Sequence, residues 1–548
     1  MALFTSVSAE ALEAKPFTVK GPKLVIPPND VQVDVNGASA PNSYSPTVHT
    51  SVVSSFEGTS DFDTRALGIG LIPPDTMGAV GTTQYVQLIN GSFSVYNKAT
   101  GLLAAPRKTD SAFWKAAGGT ATGGDPRVAF DSQTDRWIAV GFGSANSNLQ
   151  IAVSATADAL GPWHASSFTG FAGFGFGATA DYPTLAMSGN SVIIGTNNFA
   201  PLTAGGANNF RGTTINVLNK DDIFSAGGPV VTSLKQFNTP FNGTTQVTDN
   251  GFAIQGVNRV GGSSTATVVA ASIFETKNLT YSIANAGTAS ATRTAAQDQI
   301  GGDGFESPSF ARQPTLGGSA RIIDALDERI SSSVWENKGR IYFATTVKQL
   351  GTDHDVVRIT VLDKLTNAVL SQTDIGGGAD DSFDYYQGSL AINSAGQLVV
   401  GYNRSGDITT GTDGRISIFA RSFNTAADGS LISTSDEVFI KQSLVDDYHN
   451  GSPQGFNPVG RQRWGDYSTV TLDPTNNHRF WMIGEFAREF NNAAGGHPGG
   501  SGFGRWGTYV AQLGVGSVPE PGTWAMMIFG FGLIGVAARR RRVADATA

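Results

Sequence analysis

Asp384-Tyr385-Tyr386-Gln387-Gly388-Ser389-Leu390-Ala391-Ile392 is followed, after a polar turn, by Gln397-Leu398-Val399-Val400-Gly401 and then by Arg415-Ile416-Ser417-Ile418-Phe419. Short apolar, β-branched runs bounded by Gly, Asn, Asp and Ser read as strands. The same arrangement of an Asp, an alternating strand, a turn and a second apolar strand recurs along the chain. Units open at Asp75, Asp125, Asp181, Asp249, Asp327, Asp384 and Asp466, at intervals of 50 to 82 residues. Their second strands include Tyr85-Val86-Gln87-Leu88-Ile89, Arg136-Trp137-Ile138-Ala139-Val140, Ser191-Val192-Ile193-Ile194 and Arg479-Phe480-Trp481-Met482-Ile483. Third strands often follow, as at Leu149-Gln150-Ile151-Ala152-Val153 and Thr508-Tyr509-Val510-Ala511-Gln512-Leu513.

A single unit of this kind cannot bury both of its faces. Units stacked around an axis can, and they leave only short edges. The expected fold class is therefore all-β, a β-propeller over residues 65–515 with seven blades. Six blades is the alternative count, and a β-sandwich pair or a β-solenoid is the rival architecture. Residues 1–64 read as an extended leader with room for one strand. Residues 516–548 form a separate tail.

Composition narrows the functional classes. The 548 residues carry 37 Lys plus Arg against 45 Asp plus Glu, a formal charge of −8. This balance excludes a general nucleic-acid binder, which needs a basic face against phosphates. There is no cysteine, so disulfide scaffolds, Cys-ligated zinc and iron–sulfur clusters are excluded. Gly is 68 residues, well above the usual ~7%, and suits a loop-rich β protein.

The tail reads Val518-Pro519-Glu520-Pro521-Gly522-Thr523-Trp524-Ala525, then an uncharged apolar run to Ala538, then Arg539-Arg540-Arg541-Arg542. The run from Trp524 to Ala538 would be a hydrophobic helix of about 23 Å at ~1.5 Å per residue, short for a ~30 Å hydrocarbon core. The arginines would stay cytoplasmic. The residues Pro519, Glu520, Pro521, Trp524, Ala525, Arg539, Arg540, Arg541 and Arg542 resemble the PEP-CTERM sorting signal in its PEP-x-x-W-A variant. The resemblance covers about 30 residues. It implies export by a Gram-negative bacterium, transient anchoring in the inner membrane and processing near the PEP triplet by an exosortase-type enzyme. It also implies a destination at the cell surface or in exopolysaccharide material.

Met1-Ala2-Leu3-Phe4-Thr5-Ser6-Val7-Ser8-Ala9 has no basic start and little apolar run. A complete secretory signal needs both. This stretch reads as the remnant of a truncated signal peptide, the true start lying upstream.

The body resembles a loose group of uncharacterised secreted bacterial propeller proteins. The resemblance rests on Pro73-Pro74-Asp75, Asp135-Arg136-Trp137, Gly161-Pro162-Trp163, Asp181-Tyr182-Pro183 and Arg463-Trp464-Gly465-Asp466-Tyr467-Ser468. It implies a fold and no chemistry.

Two groups of residues are candidates for a ligand site. The recurring Asp residues, among them Asp75, Asp125, Asp181, Asp384 and Asp466, would gather at one mouth of a central channel if each opens an inner strand. There they would either cap turns or hold sugar hydroxyls or a cation, Ca2+ being the one ion the pattern admits. Arg463, Trp464 and Tyr467 would suit a carbohydrate by stacking and forked hydrogen bonds, or else be packed between blades. No other metal motif is present. Asp61-Phe62-Asp63 and Asp353-His354-Asp355 do not continue into a calcium loop, and no two of the six His are spaced for a zinc helix. A sialidase would need an Arg cluster and a Tyr beside a carboxylate; the Phe-Arg-Ile-Pro and Ser-x-Asp-x-Gly-x-x-Trp motifs of that family are missing.

The function expected is a surface-directed binding module for polysaccharide or a surface partner, without assigned catalytic residues. The alternative is a carbohydrate-active hydrolase or lyase at the channel mouth, and a structural spacer is the third reading.

Overall fold

The computed structural model describes residues 48–517 apart from 123, 144–147, 171–178, 200–209, 241–250, 273–274, 316–320, 379–381, 435 and 451–460. The chain is all-β. Among the described residues only Asp61–Ala66, Asp110–Ala116 and Lys220–Ile223 are helical. None of these helices is long and apolar enough to cross a membrane. The hydrophobic helix expected at 524–538, the sorting residues and the truncated signal lie outside the described residues.

Antiparallel meanders follow one another along the chain. Gly78–Val80, Gln84–Ile89 and Ser92–Asn97 form the first. Arg127–Asp131, Arg136–Phe142, Leu149–Ser154 and Trp163–Phe168 form the second. Ala186–Ser188, Ser191–Phe199, Phe210–Asn219 and Lys235–Pro240 form the third. A nine-stranded sheet comes next. It consists of two antiparallel halves, Phe252–Asn258 with Thr265–Ala271, Asn278–Ala284 and the short Thr292–Arg293 and Gln297–Asp298, and Val334–Asn337 with Arg340–Lys348, Asp355–Asp363 and Val369–Ile375. The strands of the two halves pair in parallel at Val257–Val334 and Asn258–Trp335. Asp384–Ile392, Gln397–Ser405 and Ser417–Thr425 follow. Thr469–Leu472, Arg479–Phe490 and Gly504–Ser517 end the described chain.

That last sheet is completed from the other end of the sequence. Val48–Ser60 pairs antiparallel with Gly504–Ser517, from Val48 opposite Ser517 to Ser60 opposite Gly507. The final residues of the leader drawn over 1–64 therefore belong to the folded body. Alternation alone could not place this strand, because its partner lies at the far end of the chain.

Apolar side chains fill the spaces between successive sheets. Ile138, Val140 and Ile151 pack against Val192, Ile194 and Leu218. Val399 and Ile418 pack against Val470, Met482 and Leu513. Phe56, Trp481 and Val510 of the last sheet pack against Val80, Tyr85 and Tyr96 of the first.

A second set of contacts runs between the units, mostly at residues in or next to their first strands. Asp125 N donates to Asn90 Oδ1 at 2.9 Å. Arg127 Nε donates to the Pro183 carbonyl at 2.8 Å, and Thr184 Oγ1 to the Ile254 carbonyl at 2.7 Å. Gln255 Nε2 donates to the Ile330 carbonyl at 2.9 Å, and Ser331 Oγ to the Gly388 carbonyl at 3.3 Å. Ser468 Oγ donates to the Gln387 carbonyl at 2.9 Å, and Thr76 Oγ1 to the Tyr467 carbonyl at 3.0 Å. The last of these bonds returns to the unit from which the first one started.

The backbone at these links shares a conformation. Asp75, Asp125, Tyr182, Ala253 and Gln387 have φ of 51°, 51°, 51°, 49° and 54°. This is the left-handed region that L-residues seldom occupy. In each case the next residue's carbonyl accepts a side-chain bond from another unit: Thr76 from Thr469, Pro126 from Tyr467, Pro183 from Arg127, Ile254 from Thr184 and Gly388 from Ser331. The reversal at the left-handed residue accompanies an outward-turned carbonyl in each case.

Candidate functional site

The stretch Arg461–Ser468 leads into the inner strand Thr469–Leu472. Arg461–Gln462 is held by a parallel pairing with Ile322–Ile323. Trp464 then turns inward. It is fully buried, meets Tyr448 edge-on with ring centroids 4.9 Å apart, and donates from Nε1 to Asn403 Oδ1 at 3.3 Å. Gly465 follows in a confined place. A Cβ there would lie 3.0 Å from Glu485 Oε2 and 3.2 Å from Gln387 Nε2, and Gly465 N donates to that same Glu485 oxygen at 2.8 Å.

With Trp464 anchored, Arg463 and Asp466 flank it and bond to each other. Arg463 Nη1 also donates to Asp324 Oδ2 at 2.9 Å, and Arg461 reaches the same carboxylate. Asp466 N donates to Asp75 Oδ1 at 2.7 Å, and Asn90 Nδ2 to Asp75 Oδ2 at 3.0 Å. Asn90 thus holds Asp75 with its amide nitrogen and the Asp125 backbone with its amide oxygen.

Below this layer lies a stack of cations and rings. The Arg127 guanidinium sits 3.4 Å from the Tyr467 ring centroid and 5.0 Å from that of Tyr182. Arg329 lies 4.6 Å from the Tyr182 ring. It forks onto Asp327 with bonds of 2.6 and 2.7 Å and stands 3.9 Å from Asp466 Oδ2. Tyr467 is fully buried and its hydroxyl donates to the Pro126 carbonyl at 2.9 Å. Arg127 Nη2 is buried without a hydrogen-bond partner. Asp125 and Asp181 are partly exposed; Asp125 Oδ2 accepts from Tyr182 N at 3.2 Å.

Burial, then the Asp466 carboxylate, pushes the Asp75 carboxyl up to about 8 against the pull of Arg463 and Arg127. Desolvation and the carboxylates of Asp181, Asp75 and Asp466 hold Asp125 well above the usual range. Burial raises Glu485 strongly too. Burial opposes the charge of Arg463, but Asp466, Asp324 and Asp75 outweigh it and keep the guanidinium ionised. Arg329 in turn overcomes burial to depress Asp327.

The structure therefore brings Asp75, Asp125, Asp181, Arg463, Asp466 and Tyr467 into one cluster. It places Trp464 behind the cluster with no free ring face. Asp384 lies elsewhere: it is buried, takes two bonds from the Arg312 side chain at 2.8 and 3.0 Å, and accepts from Asp355 N at 3.2 Å. Asp327 joins the cluster through Arg329. Asp249 lies outside the described residues. Sequence reasoning overlooked Arg127, Arg329, Asp324 and Asn90. A signal existed for two of them: Arg127 and Arg329 each stand two residues after a repeat Asp. Among the described residues no group of three or more His, Asp and Glu is placed to hold a metal ion.

The PEP-CTERM protein-sorting motif is matched at residues 517–542. This motif implies export, recognition by an exosortase-type enzyme and a surface location after processing. No curated protein matches the sequence. Among solved structures, a protein of unknown function from Dyadobacter fermentans is 13% identical with a TM-score of 0.35, covering 71% of this chain and 94% of its own. A Trypanosoma rangeli sialidase mutant displaying trans-sialidase activity is 10% identical with a TM-score of 0.33, covering 71% of this chain and 53% of its own. The Cellvibrio cellulosa α-L-arabinanase complexed with arabinohexaose is 11% identical with a TM-score of 0.30, covering 56% and 94%. TM-scores of this size assign neither a fold nor an activity to the chain.

Proposed function

We propose that the body is a seven-bladed β-propeller that serves, after export and PEP-x-x-W-A-type sorting through a short apolar helix, as a surface binding module for polysaccharide. The returning circuit of side-chain bonds between successive units supports the architecture. The union of Val48–Ser60 with Gly504–Ser517 supports closure of the last blade from both chain ends.

One observation carries the binding reading. Asp125 and Asp181 are partly exposed acids with no ion-pair partner among the described residues, in the cluster that also holds Arg329 and Asp466. Fixed acceptors and donors of this kind suit sugar hydroxyls. With Asp75 and Asp125 pushed up from the usual carboxylate range, Asp181 and Asp466 are offset by Arg127, Arg329 and Arg463, so neutral sugars are favoured over charged ones. Trp464 and Tyr467, both buried, support the site from behind rather than stacking on the ligand.

A hydrolase or lyase at the same mouth is the second reading. It is favoured by Asp75, a carboxyl protonated near neutral pH beside Asp466, the arrangement acid–base chemistry uses. Its almost complete burial weighs against direct contact with substrate.

The test is a glycan array and polysaccharide pull-down with the full chain in detergent, with product analysis of every bound glycan. Binding without cleavage, reduced at least tenfold by Asp181→Asn and by Arg329→Ala, is expected. Cleavage would establish the second reading, and failure to bind any glycan would sink both.

A further inference from the structure

The three inner strands nearest the chain's end share one polarity. Gly78–Val80 begins three residues after Asp75 and ends beside Gly81. Thr469–Leu472 begins three residues after Asp466 and ends at Asp473. Asp384–Ile392 passes Gln387 and ends at Asn393. The first two therefore start at the carboxylate–guanidinium cluster, the third passes it at Gln387, whose carbonyl accepts from Ser468, and all three end at a common set of turns. Those turns are tied together. Lys98 bonds to the Gly81 carbonyl at 3.0 Å and to Asp473 at 2.7 Å, and Asn393 Nδ2 donates to the Asn477 carbonyl at 2.8 Å.

The last strand leaves the body at these turns. Arg479–Phe490 runs antiparallel to Thr469–Leu472, and Gly504–Ser517 antiparallel to Arg479–Phe490, with Arg479 opposite Gly514. Val515 N donates to the His478 carbonyl at 3.0 Å, and Ser517 is still paired, opposite Val48. The sorting motif begins at that same residue. Pro519 follows two positions later, a reach of at most about 7 Å in extended chain. A peptide segment entering an enzyme's cleft at Pro519–Pro521 brings the end of the sheet with it.

We propose that the end of the body formed by the turns Asp473–His478 and Asn393–Gly396 is the face that abuts the membrane-bound processing enzyme, and that the carboxylate–guanidinium cluster points away from it. The contact is imposed by the missing spacer. It needs no affinity of its own, and it leaves the candidate ligand site open to the outside while the chain is still anchored. The proposal rests on the sorting reading and is independent of whether the cluster binds sugar.

The test uses the full chain exported in a bacterium that carries the enzyme. A photo-crosslinking residue is placed at exposed Ala395, on the turn face, or at Glu328, beside the cluster. The enzyme should be captured, as identified by mass spectrometry, at least fivefold more from position 395. Insertion of twenty Gly/Ser residues after Ser517 should reduce that capture at least fivefold while the processed chain still forms. Equal capture from both positions, capture undiminished by the insert, or adducts with lipid in place of the enzyme would overturn the proposal. An unmodified chain whose mass retains residues 543–548 would instead overturn the sorting reading.

Discussion

Five residues in the left-handed region mark the circuit between units, and only their setting explains them. Asp tolerates that conformation, which accounts for Asp75 and Asp125. Tyr182, Ala253 and Gln387 have no such tolerance, and each costs about 1–2 kcal/mol, so their turns were not legible in the sequence. Ala253 separates the two sides of this balance. Ala253→Gly should leave stability within about 1 kcal/mol, because glycine accepts the conformation freely. Ala253→Val should cost about 2 kcal/mol or more, since a β-branched residue is a steric outlier there. Urea unfolding of both variants checks this, and equal losses would show that φ at 253 does not matter. Asp75 offers a second measurement. Burial holds its carboxyl at about 8, and burial raises Asp355 to about 7, whereas unfolded Asp titrates near ~3.9. Between those limits the folded chain binds more protons than the unfolded chain, so stability falls as pH rises from about 4 to about 8. Thermal melts should therefore show a lower Tm at pH 8.5 than at pH 6, and Asp75→Asn should flatten the decline. A Tm that rises over that range would contradict the protonated state of Asp75.

At the scale of elements, alternation and turn residues were enough to read the meanders, because each strand pairs with a near neighbour. What joins one meander to the next was not legible. It depends on side chains such as Arg127, Thr184 and Gln255, whose partners are backbone carbonyls with no sequence signature. The candidate site divides the same way. Its carboxylates were visible as repeat positions, and Arg463 as part of a dense polar run. The burial of Trp464 and the diversion of Asp384 to Arg312 depend on neighbours far away in sequence. One inter-element link invites removal. The helix Lys220–Ile223 presents Lys220 to Asp131 on another sheet, 2.7 Å apart with both side chains largely buried. Lys220→Met leaves a buried carboxylate unpaired and should cost about 3 kcal/mol or more, and Lys220→Met with Asp131→Leu should recover most of it. Denaturant titration of the single and double variants decides the matter; no recovery in the double would mean the pair contributes through packing.

For the whole molecule, the strand Val48–Ser60 ties the two ends of the described chain together. Without it Gly504–Ser517 loses one of its two partners along nearly its full length and becomes an exposed edge, which invites association with other chains. A chain starting at Asp61 should therefore lose its single cooperative melting transition and elute as oligomers. A monomer with an unchanged Tm would show the strand to be dispensable. The same pairing constrains the order of events during synthesis and passage through a membrane. Val48 is made, and crosses, hundreds of residues before Ser517, so for that interval it has no partner to join. Contacts this distant in sequence close slowly. The fold can be completed only once the whole body has been made, and until then the first strand is open to pairing with the wrong neighbour.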